Sequence, residues 1–255
     1  MLSKEWMERI GPADWHPITI GCSGARTYRL EHAGGTESYI KIMERADGRT
    51  LLPEFERLQW LQGKLPVPDV LEFGQEGGQD ILWLSALPGL HAADQSWAER
   101  LTDLVTALAQ GLKRIHSLDF AQCPFDKRIR VRLAEAEANA REGRVDEQEF
   151  DLERRGATPE ELLQRLRELA PPVEDLVFTH GDFCMPNVIV QGNAAGFIDW
   201  GNAGIADRYQ DLALAVRSLT SNFGAEWVEP FLHAYGLKEV DWAKIEFFKL
   251  LDEFF

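Results

Sequence analysis

The stretch from Val177 to Gly201 constrains this chain more than any other part of it. It reads Val177-Phe178-Thr179-His180-Gly181-Asp182-Phe183-Cys184-Met185-Pro186-Asn187-Val188-Ile189-Val190, passes through Gln191-Gly192-Asn193, and closes on Gly196-Phe197-Ile198-Asp199-Trp200-Gly201. One apolar run delivers His-Gly-Asp, and an Asn follows five positions after that Asp. A second apolar run leads through a polar turn to a third, which ends in Asp199. Short apolar runs bounded by turn formers read as strands, so Asp182, Asn187 and Asp199 are expected at the mouth of one hairpin. Asp, Asn and Gly are also ordinary turn formers, but Asp-x4-Asn followed at short range by Ile-Asp-x-Gly favours a working site over a plain hairpin.

That set of oxygens suits phosphoryl transfer, which needs a divalent cation on the nucleotide phosphates and an acceptor held in line. Mg²⁺ takes hard oxygen ligands and is usually held by one or two carboxylates plus phosphates and water. Asn187 and Asp199 fit that task, which leaves Asp182 to accept the proton of the attacking hydroxyl. The spacing matches the protein-kinase signature, in which a catalytic Asp precedes a metal-binding Asn by five and a later Asp-x-Gly supplies the second ligand. Gly181 stands here in place of the usual Arg, and Trp200 in place of the usual Phe.

The N-terminal part is strand-rich. Ile18-Thr19-Ile20 enters Gly21-Cys22-Ser23-Gly24-Ala25, and Thr27-Tyr28-Arg29-Leu30 leaves it. This is the shape of a loop that lays backbone N–H groups, with Ser23, over phosphates, although the full Gly-x-Gly-x-x-Gly pattern is absent and a plain turn has the same outline. Glu37 to Ile42 alternates so that Tyr39 and Lys41 share the face opposite Ile40 and Ile42. Lys41 is placed to bind phosphates and Tyr39 to pack on adenine. The period of Leu51, Phe55, Leu58 and Leu61 predicts a helix, which carries Glu54 as a partner for Lys41, with Glu56 as the alternative. Backbone groups of Ser85 and Leu87, at the end of the last strand, are candidates for the adenine edge. The strand-rich section stops near Pro88, which divides the chain into a nucleotide-binding lobe over 1–88 and a catalytic, acceptor-binding lobe over 89–255.

The second part reads as helical outside the His-Gly-Asp region. Trp97 to His116 carries an apolar stripe, with His116 read as a cap in its last turn. Pro124 opens another helix through Gly143, and Thr158-Pro159-Glu160-Glu161 has the form of a capping box. Asp211 stands where it can cap a helix from Leu212 to Leu219 or bond back to the His-Gly-Asp loop.

Charge narrows the partner. The net charge is −15, with 9 Lys+Arg against 13 Asp+Glu over residues 1–88 and 18 against 29 over 89–255. This speaks against nucleic acid, whose phosphates must be neutralised by Lys and Arg, and for a cationic acceptor, although acidic surface also serves solubility. The run Val145 to Glu153 holds five acids in nine residues, and Asp252-Glu253-Phe254-Phe255 ends the chain on two acids, two aromatics and a carboxylate. There is no apolar run long enough for a membrane span and no signal-peptide plan. The three scattered cysteines suit a reducing cytoplasm.

Taken together, His180-Gly181-Asp182-x4-Asn187, Gly196-Phe197-Ile198-Asp199, Ala206-Asp207-Arg208-Tyr209-Gln210-Asp211, Cys123-Pro124-Phe125-Asp126 and Leu251-Asp252-Glu253-Phe254-Phe255 resemble the aminoglycoside O-phosphotransferases, in particular their 3′-phosphotransferase branch. The resemblance implies an α+β, two-lobed, protein-kinase-like fold: a small antiparallel β-sheet lobe followed by a larger, mainly helical one. It implies ATP or GTP as donor with Mg²⁺, and as acceptor a polycationic 2-deoxystreptamine aminoglycoside of the kanamycin and neomycin class, in a monomer or weak dimer. By it Asp182 is the base, Asn187 and Asp199 bind metal, Lys41 with Glu54 orders the phosphates, and Glu149, Asp151, Asp252, Glu253 and the Phe255 carboxylate hold ammonium groups. Asn202 and Ser218 depart from the branch, which often has Arg and Asp there. The alternatives are a kinase of the same fold for another hydroxylated amine and a non-catalytic nucleotide-binding module.

Overall fold

Ser3 opens the first helix, α1 (Lys4–Ile10), by accepting the Trp6 N–H. Trp6 and Ile10 of α1 pack on Leu30, Ile40, Ile42 and Ile81. These come from a sheet of β1 (Ala13–Ile18), β2 (Arg26–His32), β3 (Glu37–Glu44), β4 (Val70–Glu76) and β5 (Gln79–Ser85) in the spatial order β1-β2-β3-β5-β4, with every pair antiparallel. Burial alternates along β3: Ser38, Ile40 and Ile42 are buried, while Tyr39 and Lys41 point the other way. α2 (Leu52–Leu61) lies between β3 and β4 in sequence, with Pro53 in its first turn. It has no side-chain cap of its own. Asp80 on β5 supplies one across the fold, accepting the Leu51 N–H at 2.9 Å and the Thr50 hydroxyl. Phe55 stacks on Phe73 of β4, with ring centroids 4.4 Å apart. The computed structural model describes residues 2–19, 24–45 and 49–255.

This sheet and its helices, Met1–Gly89, form one compact unit together with Gly196–Gly201; Leu90–Ala195 and Asn202–Phe255 form the other. The segment carrying Asp199 therefore groups with the N-terminal sheet.

The second unit begins with β6 (Leu90–His91), then a 3₁₀ turn at Gln95–Arg100 that leads directly into α3 (Leu101–His116). Trp97 to His116 is thus two elements. Leu104, Val105, Leu108, Leu112 and Ile115 are buried along α3, each removing roughly 1.5–3 kcal/mol worth of apolar surface from water. α4 (Ile129–Arg141) starts later than Pro124 predicts, because Asp126 is drawn into a bridge with Ile205. α5 (Pro159–Leu169) has the capping box complete in both directions. Between them, residues 145–156 form turns.

β7 (Leu176–Thr179) does not pair with the strand after the Asp. It pairs antiparallel with β10 (Gly204–Asp207), while β8 (Val188–Gln191) pairs with β6 and turns into β9 (Ala194–Phe197). The hairpin expected across Gln191-Gly192-Asn193 is present as β8 and β9, and the strand that delivers Asp182 belongs to a separate pairing. Asp182 sits in the loop after β7, Asn187 ends a 3₁₀ turn at Met185–Asn187, and Asp199 follows β9. α6 (Tyr209–Phe223) starts earlier than Leu212: Asp207, at the end of β10, accepts the Tyr209 N–H at 2.9 Å, and Asp211 falls inside the first turn. α7 (Val228–Tyr235) and α8 (Trp242–Asp252) complete the unit. Among the described residues no helix is long and apolar enough to cross a membrane.

Candidate active site

In the first unit, the face of β3 opposite the core carries Lys41 towards α2. Its ammonium lies 2.7 and 2.9 Å from the two Glu54 oxygens and 3.3 Å from Asp199 Oδ1. Glu54 is buried and Glu56 exposed, which decides between them. Burial works to lower the Lys41 pKa, but the charges of Asp199 and Glu54 outweigh it and hold the group well above its ordinary value. Burial pushes Glu54 up; Lys41 opposes this and Asp199 adds to it. Two acids share one cation, and the more exposed acid, Asp199, has its side chain 39% open to solvent. Among the described residues Asp199 is the one non-glycine with positive φ, at 63°. Asp tolerates that conformation better than most residues, and strain of this kind persists only where the surroundings enforce it. Here Phe197 donates its N–H to the Pro66 carbonyl at 3.0 Å, and the buried Trp200 indole donates to the Phe197 carbonyl at 3.0 Å. Trp200 thereby fixes the turn that Asp199 occupies.

Tyr39 lies two positions before Lys41 on the same face. The Ser85 N–H donates to the Asp69 carbonyl at 2.9 Å, and its hydroxyl accepts the Asp69 N–H at 2.9 Å, so that N–H is engaged within the protein. Leu87 packs beside Gly196, where a Cβ would come 2.9 Å from its Cδ1. Ser23 lies outside the described residues.

In the second unit, the loop after β7 is held from below. Asp211, fully buried on α6, accepts the His180 N–H at 2.7 Å and the Gly181 N–H at 2.8 Å. The backward bond considered for Asp211 is therefore present. Gly181 has φ 84°, and a Cβ there would stand 2.3 Å from the Asn202 carbonyl oxygen, so glycine is required where kinases carry Arg. Asn187 donates from Nδ2 to the Asp182 backbone carbonyl at 3.1 Å and to Asp182 Oδ2 at 2.8 Å. Both partners can only accept, which fixes the amide with its nitrogen on Asp182 and its oxygen turned away. Ser218, one of the two departures, accepts the Met185 N–H at 2.9 Å and so anchors the turn that carries Asn187. Asn202, the other, meets the loop through its backbone. His116 is no helix cap: it is buried between Asp211 and Tyr235.

The acidic residues of this unit are organised by arginines that no sequence pattern singles out. Arg154, with its side chain 5% exposed, donates to Asp151 at 2.9 Å and to Glu253 at 3.0 Å from Nη1, and its Nη2 reaches Glu246 at 3.5 Å. Glu253 also accepts the Asp151 N–H. Arg217 pairs with Asp252 and lies 4.0 Å from Asp151. Burial and the neighbouring Asp151 push Glu253 up to about 7, against the pull of Arg154. Glu149 is exposed nearby in sequence. The terminus is fixed: Phe254 is buried with its carbonyl accepting from Asn139 at 2.7 Å, and the Arg132 guanidinium sits 3.4 Å over the half-exposed Phe255 ring.

For a divalent cation, no cluster of three or more His, Cys, Asp or Glu exists among the described residues. Mg²⁺ bound with a triphosphate does not need one. The Asn187 amide oxygen in the second unit and the half-exposed Asp199 carboxylate in the first are each hard donors.

The profile of the phosphotransferase enzyme family matches residues 14–248. The chain is 40% identical to the aminoglycoside 3′-phosphotransferase of Niallia circulans, covering 99% of this chain and 97% of that one. It is 39% identical to the enzyme of the same name from Streptomyces fradiae, with 95% of each covered. A crystal structure of an aminoglycoside 3′-phosphotransferase of type VIII superposes with a TM-score of 0.90 at 37% identity over 99% of this chain and 97% of that one. The structure of a Streptomyces rimosus aminoglycoside phosphotransferase in complex with ADP and streptomycin superposes with a TM-score of 0.81 at 27% identity, over 97% of this chain and 94% of that one.

Proposed function

This chain belongs to the phosphotransferase enzyme family, and from that premise we infer that it is an aminoglycoside 3′-phosphotransferase. It moves the γ-phosphate of ATP to the 3′-hydroxyl of a 2-deoxystreptamine aminoglycoside and so confers resistance to it. The observation that carries the phosphotransfer reading is the Lys41 ammonium fixed between Glu54 and Asp199. A buried cation that stays charged, oriented by two carboxylates, is a phosphate-binding group already set in place before the ligand arrives.

Lys41 binds the nucleotide phosphates, and Tyr39, Ser85 and Leu87 flank the base. Asn187 Oδ1 and Asp199 would hold Mg²⁺, which when bound offsets the phosphate charge. Asp182 is oriented by the Asn187 amide. It accepts the proton of the acceptor hydroxyl as that oxygen forms its bond to the γ-phosphorus and the bond to the β,γ-bridging oxygen breaks. ADP leaves with that electron pair. The ammonium groups of the acceptor are met by Asp151, Asp252 and Glu149. Glu253, its side chain 3% exposed, contributes by holding Asp151 in place.

The test is transfer from ATP to kanamycin by the purified chain, with Asp182→Ala alongside. Loss of a positioned base costs ~10²–10⁴-fold, so turnover should collapse while nucleotide binding persists. Full turnover by that variant would refute the assignment of Asp182, and no transfer to any aminoglycoside by the wild type would refute the acceptor class.

A further inference from the structure

Taking Lys41 as the group that binds the phosphates, we infer that Asp80 is a positioning residue for the nucleotide, because it fixes from across the sheet the helical turn that brings Glu54 to Lys41.

Glu54 follows Leu51 by three residues, within one α-helical turn, so whatever fixes the start of α2 also fixes Glu54. That start has little support of its own. Leu51 occupies the cap position with no side-chain hydrogen bond, and Pro53 brings no N–H. The N–H groups of Leu51 and Leu52 are met from outside the helix. Leu51 donates to Asp80 Oδ2 at 2.9 Å. Leu52 donates to the Thr50 hydroxyl oxygen at 3.1 Å, and that hydroxyl donates its hydrogen to the same Asp80 oxygen. Asp80 Oδ1 accepts from the Gln75 amide at 3.0 Å and lies 3.5 Å from Arg45 Nε. A carboxylate can only accept, so all of these contacts run towards Asp80. The residue is fully buried, where a charge persists only if it is paired and hydrogen-bonded.

The strand register sets this anchor on the Lys41 side of the sheet. Lys41 stands opposite Leu82, and Met43 opposite Asp80. Residues two apart share one face of a strand, so Asp80 and Lys41 both project on the side that α2 covers. The helix is tied there at two points less than one turn apart, its backbone to Asp80 and its Glu54 to Lys41. Phe55 stacked on Phe73 keeps α2 close to the sheet, but apolar burial is non-directional. The two polar ties set the rotation of the helix and its position along its axis. Without Asp80 the first turn loses its outside acceptor, and Glu54 is free to leave Lys41. The ammonium then keeps Asp199 alone, 3.3 Å away, and its direction changes.

A cap that only stabilises the fold would lower Tm and leave the kinetics of folded protein alone, so the test reads kinetics on the full chain below its unfolding transition. Misplacement by about 1 Å can cost ~10²-fold in rate. For Asp80→Ala, kcat/KM for ATP should therefore fall ~10- to 100-fold while KM for kanamycin stays within about twofold. Asp80→Asn keeps a carbonyl oxygen for the Leu51 N–H and should recover most of that loss. A double-mutant cycle with Glu54→Gln tests the route. If Asp80 acts through Glu54, adding Asp80→Ala to Glu54→Gln should cost less than about threefold more, whereas independent effects multiply. Multiplying effects, an unchanged kcat/KM for ATP in folded Asp80→Ala, or an equal rise in KM for kanamycin would each overturn the role of Asp80. Should Asp80→Ala fail to fold, Thr50→Val takes its place, since it removes the hydroxyl that joins Asp80 to the Leu52 N–H. A several-fold loss of kcat/KM for ATP that disappears in the Glu54→Gln background supports the role, and unchanged kinetics overturn it. Lys41→Met separates the two readings. If it keeps kcat/KM for ATP, the phosphate assignment has failed; if it loses it while Asp80→Ala is unimpaired, only the role of Asp80 has.

Discussion

The charge clusters around Lys41 and around Arg154 follow one plan with the signs exchanged. In the first, two carboxylates hold a single ammonium, which on the proposed function meets the nucleotide phosphates. In the second, two guanidiniums hold a set of carboxylates, some of which on the proposed function meet the acceptor. The first suits an anion such as a triphosphate, the second a polycation. In both, the groups of one sign decide where the other sign points. Charge composition alone reports neither arrangement, since it counts both signs alike.

The comparison breaks most readily at Lys41. Lys41→Met removes the central charge and leaves Glu54 and Asp199 to repel each other, so kcat/KM for ATP should fall ~10²–10³-fold with KM for the aminoglycoside nearly unmoved. If acceptor KM rose as much, the two clusters would not be serving separate ligands. A smaller effect is expected from deleting residues 252–255. Exposed ion pairs contribute ~0.2–1 kcal/mol each, so losing Asp252, with the packing of Phe254 and Phe255, should raise acceptor KM about tenfold. KM for ATP should stay put; an unchanged acceptor KM would remove the tail from the acceptor site.

The smallest effect tests how completely the arginines neutralise their acids. Glu253 is held up at about 7 against an ordinary value of 4.5. Between those values the folded chain keeps a proton that the unfolded chain has released, so folding stability declines as pH rises through this window. Glu253→Gln cannot titrate. Its urea midpoint should therefore gain on that of the wild type from pH 5 to pH 7.5, by on the order of 1–2 kcal/mol in stability. A pH-independent difference would mean that Arg154 keeps Glu253 ionised throughout, as Lys41 is kept charged.

What the sequence disclosed was local. Strand alternation put Lys41 opposite the core, a helical period put Glu54 within its reach, and the Thr158 box specified a helix start from four consecutive residues. What it hid was the product of long separations. β10 is four residues of Gly-Ile-Ala-Asp, too short and turn-like to announce a strand, and it becomes one because β7 lies 25 residues earlier in sequence and leaves an edge to pair. Arg154 gathers partners 92 and 99 residues away, and His116 gathers partners 95 and 119 residues away. Neither has a neighbour in sequence that hints at them. The kinase-like signature is legible because Asp182, Asn187 and Asp199 lie close together in sequence; the partners of Arg154 and His116 do not.

The borrowed segment Gly196–Gly201 has a consequence for biosynthesis. A ribosome that has released Gly89 has made all of the first unit except the six residues that contribute Asp199. Another 106 residues, 90–195, must be translated before that gap can close, roughly 5–20 s at ordinary elongation rates. During that interval the nascent N-terminal sheet carries Lys41 and Glu54 without their third partner, so the start of the chain waits for its later part to be made.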